Sequence, residues 1–183
     1  MTLPDPPATV AEEAPLARRP LLGHPVLDVR LGILRSDPTP HPYVCLEGSP
    51  LAWLSVEGCG TGSGFLYPSD GPDLAHFRAR LRVAHLEAGA VDALAAVGAG
   101  IVEADRGPDD PGFRFSNARS ADEVEGAGPE LTAAAQSHLW VHPQAYLVAD
   151  LTASVAYVAA APVVLGTPGP VVVSAAFSVG VGF

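Results

Sequence analysis

Apolar and polar positions alternate along much of this chain. From Val171 onward the odd positions are Val171, Val173, Ala175, Phe177, Val179, Val181 and Phe183. The even positions from Ser174 are Ser174, Ala176, Ser178, Gly180 and Gly182. A repeat of two is the mark of a strand with one apolar face and one small-residue face. Burying a valine or phenylalanine stabilises by roughly 1.5–3 kcal/mol, so the odd face is expected to be the buried one.

The same alternation predicts strands over 26–35, with Val29, Leu31 and Ile33 on one face, and over 76–83, 101–104 and 138–157. Residues 44–47 and 51–57 read as two strands joined by Gly48-Ser49-Pro50, and Pro143 breaks the 138–157 run. Phe113–Phe115 adds a short strand. Val91, Leu94 and Val97 are in helical phase and predict a short helix over 88–97. Ser120 with Glu123 fits a capping box, and Pro129 suits the first position of a helix running to about Ser137. Residues 162–170 read as a turn. The expected fold is mainly β: a soluble β-sandwich or barrel with one to three short helices, with an α+β arrangement as the fallback.

Residues 1–23 carry five prolines and no hydrophobic repeat, and read as an extended Pro-rich arm. Residues 24–183 read as a single β-rich domain. An acidic insertion at about 103–130 holds eight of the twenty acidic residues.

Composition narrows the partners. At 48% hydrophobic and 16% charged residues the chain can bury a core. A net charge of −10 and a pI near 4.8 argue against nucleic acid and against an anionic membrane. Two membrane readings arise. Leu147–Leu165 is long enough for a spanning helix, but Asp150, Pro162 and the alternation oppose that. The alternation ending in Phe183 resembles the last strand of an outer-membrane barrel; no signal peptide is apparent, and the acidic insertion does not suit a barrel wall. The expectation is therefore a cytoplasmic protein, bacterial from its arginine-only, Ala- and Pro-rich composition, with the membrane set aside. Cys45 and Cys59 are too few for a disulfide scaffold and read as a buried small residue and a loop thiol. The run Gly58–Gly64 lacks the Gly-Lys-Ser/Thr ending of a phosphate loop and reads as a wide turn.

Two rows carry candidate chemistry. His76, Arg78, Arg80 and Arg82 fall on one face of a strand, and guanidinium forks suit carboxylate or phosphate. The competing reading pairs these arginines with acids on neighbouring strands. His138, Trp140, His142, Gln144 and Tyr146 form the second row, with amphipathic rings suited to a ligand wall. His138 and His142 would stand about 13 Å apart on a strand, too far to share an ion, so no metal or other cofactor is expected.

No catalytic residue is assigned. The leading expectation is a small-molecule-binding accessory protein that takes an acidic or aromatic ligand between Arg78, Arg80 and Arg82 on one side and His138, Trp140, His142 and Tyr146 on the other. The first alternative is a small barrel-pocket enzyme of isomerase or dehydratase type, with His138 or His142 as acid or base. The second is a subunit of a protein assembly, such as a homodimer built through the C-terminal strands or the N-terminal arm.

Overall fold

Eight strands follow one another along the chain: β1 Leu27–Arg35, β2 Pro40–Leu51, β3 Leu54–Gly60, β4 Asp73–Ala88, β5 Val91–Asp105, β6 Glu125–His142, β7 Ala145–Tyr157 and β8 Val171–Gly182. Each pairs antiparallel with the next, and β8 pairs with β1, closing the sheet into a barrel. This is a computed structural model that describes residues 24–36, 40–61, 72–106 and 125–183. The arm expected over 1–23, the strand at 113–115 and the capping box at 120–123 lie outside the described residues.

The mainly β barrel holds, with one short helix among the described residues, α1 Ala161–Val164, between β7 and β8. Both helices expected from spacing are instead strands. Residues 91–97 belong to β5. Ala88 pairs with Val91, and Gly89 takes a φ of 59° that glycine adopts freely, so 88–91 is a two-residue hairpin. Residues 129–137 belong to β6, which is paired with β5 on one side and β7 on the other. Alanine, frequent in both stretches, favours helix, and a ladder on both sides overrides that preference. Residues 103–105 and 125–130 of the expected insertion are likewise strand. The turn expected at Gly48–Pro50 falls at Ala52-Trp53.

The two barrel mouths differ. One holds the short turns at 52–53, 89–90 and 143–144, and there Phe183 bonds back to Leu27. The other is the end from which the longer stretches between strands depart, of which 158–170 is described throughout.

The alternation is observed, with its sense reversed. On β8 the odd side chains point outward: Val173 is 65% exposed, Phe177 54% and Val181 57%. Arg30, Glu47, Glu57, Arg80 and Asp150 point into the bore and are buried. The expectation of a buried apolar face on the last strand is thus corrected. An eight-stranded bore has room only for side chains, and the polar row occupies it.

From strand parity, the outward face among the described residues carries charge only near the long-connection mouth, at Arg35, Asp73, Glu103 and Asp105. From there to the turns it is apolar. On β5 the apolar outward run is Val91–Ile101. Ten steps of about 3.4 Å at the roughly 40° tilt of such barrels give a belt about 25 Å tall. Trp53 and Phe183 flank that belt on the turn side and Tyr157 on the other, all exposed.

Candidate functional site

The bore is filled in three layers. At the long-connection mouth, α1 folds inward and buries Ala161 and Val164 against Leu34, Tyr43, Leu74 and Val102. A Cβ on Gly126 would stand 2.5 Å from that of Ala160, so glycine there lets the 158–170 connection seat. Cys45 and Cys59 face each other across β2 and β3 and form a disulfide inside this layer. The two separate thiols expected from sequence are therefore one cross-strand bond, a state that belongs to oxidising compartments.

The middle layer is an ion-pair network. Arg30 contacts Asp28 at 2.8 Å, Glu47 at 2.8 Å, Asp150 at 2.9 Å and also Glu57. Arg80 reaches Glu57 at 2.8 Å and Asp150 at 3.1 Å, and donates to Thr152 Oγ1 at 2.8 Å. Arg78 donates to Glu57 at 3.1 Å, to Glu130 at 3.0 Å and to Tyr43 Oη at 3.1 Å. His76 Nδ1 lies 2.9 Å from Glu130, and Gln136 donates to Glu47 at 2.7 Å. Buried charges persist only when paired, and each guanidinium here meets carboxylates drawn from β1, β2, β3, β6 and β7, while Arg80 Nε and His76 Nε2 find no hydrogen-bond partner among the described residues.

The third layer is open. A cavity of about 650 Å³ at the turn-side mouth is lined by His24, Trp53, Arg82, His85, Glu87, Asp92, His138 and Trp140, among others. The ladder slips between Arg82 and Ala84, a β-bulge that switches which β4 side chains face inward, so His85 and Glu87 join the lining. Trp140 Nε1 donates to Asp92, and the Trp140 ring packs on Tyr146 at 5.0 Å between centroids. Tyr146 also lies against His138, at 4.5 Å. Before β1, His24 is held below the ordinary imidazole range by burial and then by the nearby Arg82 guanidinium.

Of the residues singled out from sequence, Arg78, Arg80, His138, Trp140 and Tyr146 do point into one bore. They do not form a single site. Arg78 and Arg80 are consumed by the middle layer, so the reading that pairs them with neighbouring acids describes them, though inside the barrel rather than on a solvated face. Arg82 is turned toward Ser49 Oγ at 2.6 Å and the Ala52 carbonyl at 3.1 Å. His142 is exposed beyond a second ladder slip, off the row of Trp140. Sequence reading missed Arg30, Glu47, Glu57, Glu130 and Asp150, and the mouth residues His85, Glu87 and Asp92. Their shared signal was a lone charge between apolar or small neighbours, as in Val29-Arg30-Leu31 and Ala149-Asp150-Leu151.

Neither a family model nor a curated protein matches the chain. Solved structures do. Neisserial surface protein A aligns at a TM-score of 0.53 and 16% identity, covering 85% of this chain and 92% of that one. Ail, the attachment invasion locus protein of Yersinia pestis, aligns at a TM-score of 0.39 and 14% identity, covering 85% and 93%. The first likeness establishes the fold, the closed eight-stranded antiparallel barrel.

Neisserial surface protein A is an outer-membrane β-barrel protein, and that likeness in fold runs against four expectations: the soluble small-molecule binder with its enzyme alternative, the cytoplasmic location, the exclusion of a membrane, and the ligand-binding description built on them. The physical reason lies in the inverted burial. The arginine row meets carboxylates rather than a ligand, and the apolar row faces outward, where a soluble protein would meet water. Net charge misled because a sum does not say where charges stand: the bore's acids are largely offset by Arg30, Arg78 and Arg80, and the outward belt between the mouths carries no charge among the described residues.

Proposed function

We propose that this chain spans an outer membrane as a closed eight-stranded barrel whose bore is a packed polar core, and that it serves as a rigid support for the connections at its long-connection mouth. The observation that carries this reading is the outward face: an apolar belt about 25 Å tall around a bore lined by ion pairs. In water such a surface would expose Leu, Val, Ile and Phe on every strand. In hydrocarbon the same surface is solvated by acyl chains, and a closed barrel leaves no unpaired strand edge. Aromatic side chains at both rims and short turns at one end match this architecture. Short turns conventionally face the periplasm, which puts the opposite mouth, with α1 and 158–170, on the outer side. The apolar layer around α1 and the ion-pair layer beneath it fill the bore, which favours a support over a pore.

The test is refolding of the urea-denatured full chain into phosphatidylcholine vesicles. Inserted barrel is expected to run faster on an SDS gel unboiled than boiled, to stay with the vesicles through carbonate washing, and to leave small sugars inside them. A monodisperse folded protein in detergent-free buffer, indifferent to vesicles, would overturn the membrane reading. Rapid sugar leakage would overturn the filled bore.

A further inference from the structure

The turn-side cavity contains three ligand-type atoms brought together by the β4 bulge. His85 Nε2 lies 3.6 Å from Glu87 Oε1 and 3.8 Å from Asp92 Oδ1. The ligand atoms of all three residues fall within 4.8 Å of one another. In a tetrahedral zinc site with bonds of about 2.0–2.2 Å, ligand atoms stand roughly 3.3–3.6 Å apart. Two of the three pairs thus stand within a few tenths of an ångström of that spacing, and the third, Glu87 with Asp92, lies within 4.8 Å.

A second observation is independent of that trio. His138 on β6 is the cross-strand partner of Asp92 and lines the same cavity. It is fully buried, yet neither ring nitrogen has a hydrogen-bond partner among the described residues. A buried imidazole in that state marks a place where something polar belongs. Asp92 is already oriented by the Trp140 indole N–H, the kind of outer contact that fixes a metal-ligating carboxylate. Arg82, the cation that also lines this cavity, is drawn away from the trio by Ser49 and the Ala52 carbonyl.

We infer that the turn-side mouth binds a zinc-class divalent ion through His85, Glu87 and Asp92, with a water in the fourth position hydrogen-bonded to His138. One imidazole and two carboxylates suit zinc or its cobalt substitute better than calcium or magnesium, which take all-oxygen shells. The proposal needs only the barrel and its bulge, so it stands apart from membrane insertion.

The experiment uses the full chain, without a histidine tag, refolded in detergent micelles and checked for folding by its heat-modifiable gel shift. Zinc is titrated calorimetrically, and cobalt by its visible d–d absorption. One equivalent of either ion is expected to bind, with cobalt bands of tetrahedral intensity, and millimolar magnesium should not compete. His85→Ala and Glu87→Gln should each weaken binding at least tenfold, and His138→Phe at least threefold with altered cobalt bands. His142→Ala, at the exposed neighbouring turn, should change nothing. Absence of a saturable single site in the folded protein overturns the inference. So does a loss shared equally by His85→Ala and His142→Ala, which marks scattered surface histidines. Unchanged affinity and bands in His138→Phe overturn the role of His138. Glu87→Gln keeps the test decisive if His85→Ala does not fold, because Glu87 is solvent-exposed and its amide keeps the shape.

Discussion

Arg30 sits at the centre of the bore, where one guanidinium serves Asp28, Glu47, Glu57 and Asp150. Removing it leaves those carboxylates crowded in a dry layer, and breaking a buried pair from one side costs about 3–5 kcal/mol. Arg30→Met is expected to lower stability by that amount in urea unfolding of the refolded barrel. Arg82→Met should cost less, about 1.5–3 kcal/mol, because Arg82 donates to the neutral oxygens of Ser49 and Ala52 and stands 3.7 Å from Glu47. Equal losses from the two variants would show that the network is not the stabilising unit described here. The importance of Arg30 was invisible in sequence: Asp150 lies 120 positions away, on β7, and reaches it only when the barrel closes.

Closure itself depends on a row of small side chains. Strands β1 and β8 are the first and last of the sheet, and their seam runs from Asp28 opposite Gly182 to Arg35 opposite Ala175. A Cβ on Gly180 would stand 2.0 Å from the Val29 carbonyl oxygen, and one on Gly182 would meet the Tyr146 ring at 2.2–2.6 Å. The small-residue face of β8, plain in the alternation, is thus the face that lets Arg30 and Tyr146 fill the bore beside the seam. Gly180→Val is expected to abolish the folded gel band in vesicles, whereas Gly48→Ala, with nothing within 4 Å of the added atom, should refold like the parent. Normal refolding of Gly180→Val would show that the seam tolerates a wider spacing. At this scale the strands with alternating character, such as β1, β7 and β8, were legible. The alanine-rich parts of β5 and β6 were not, because alanine marks neither face strongly and its helical preference is overcome only by ladders on both sides.

The whole molecule inverts the usual partition of polar and apolar groups, and the medium around it decides whether that is stable. Phe177 is at the middle of β8, outward, in the apolar belt. If the belt meets hydrocarbon, Phe177→Arg should destabilise the vesicle-inserted barrel by about 2–4 kcal/mol, the range for arginine near a bilayer midplane. If the belt met water, the same change would be close to neutral or even helpful. Equilibrium unfolding in urea, in the presence of vesicles, separates these outcomes by sign as well as size.

The repeat of two determined which residues share a face on each strand: Val173 with Phe177 and Val181, Arg78 with Arg80, His138 with Trp140. It also determined that the chain is mainly β, because only a pleated backbone turns that repeat into two surfaces. It could not determine which surface lies inside. Alternation reads the same for a soluble core and for a barrel in lipid, since exchanging the two faces leaves the pattern intact. Only the closed sheet decided that question. Closure brings Arg30, Arg78 and Arg80 within reach of Glu47, Glu57, Glu130 and Asp150, and so makes a polar interior possible. The β4 bulge likewise decided the mouth, because a one-residue slip turns His85 and Glu87 toward Asp92, and a slip of that kind is set by ladder geometry rather than by residue order.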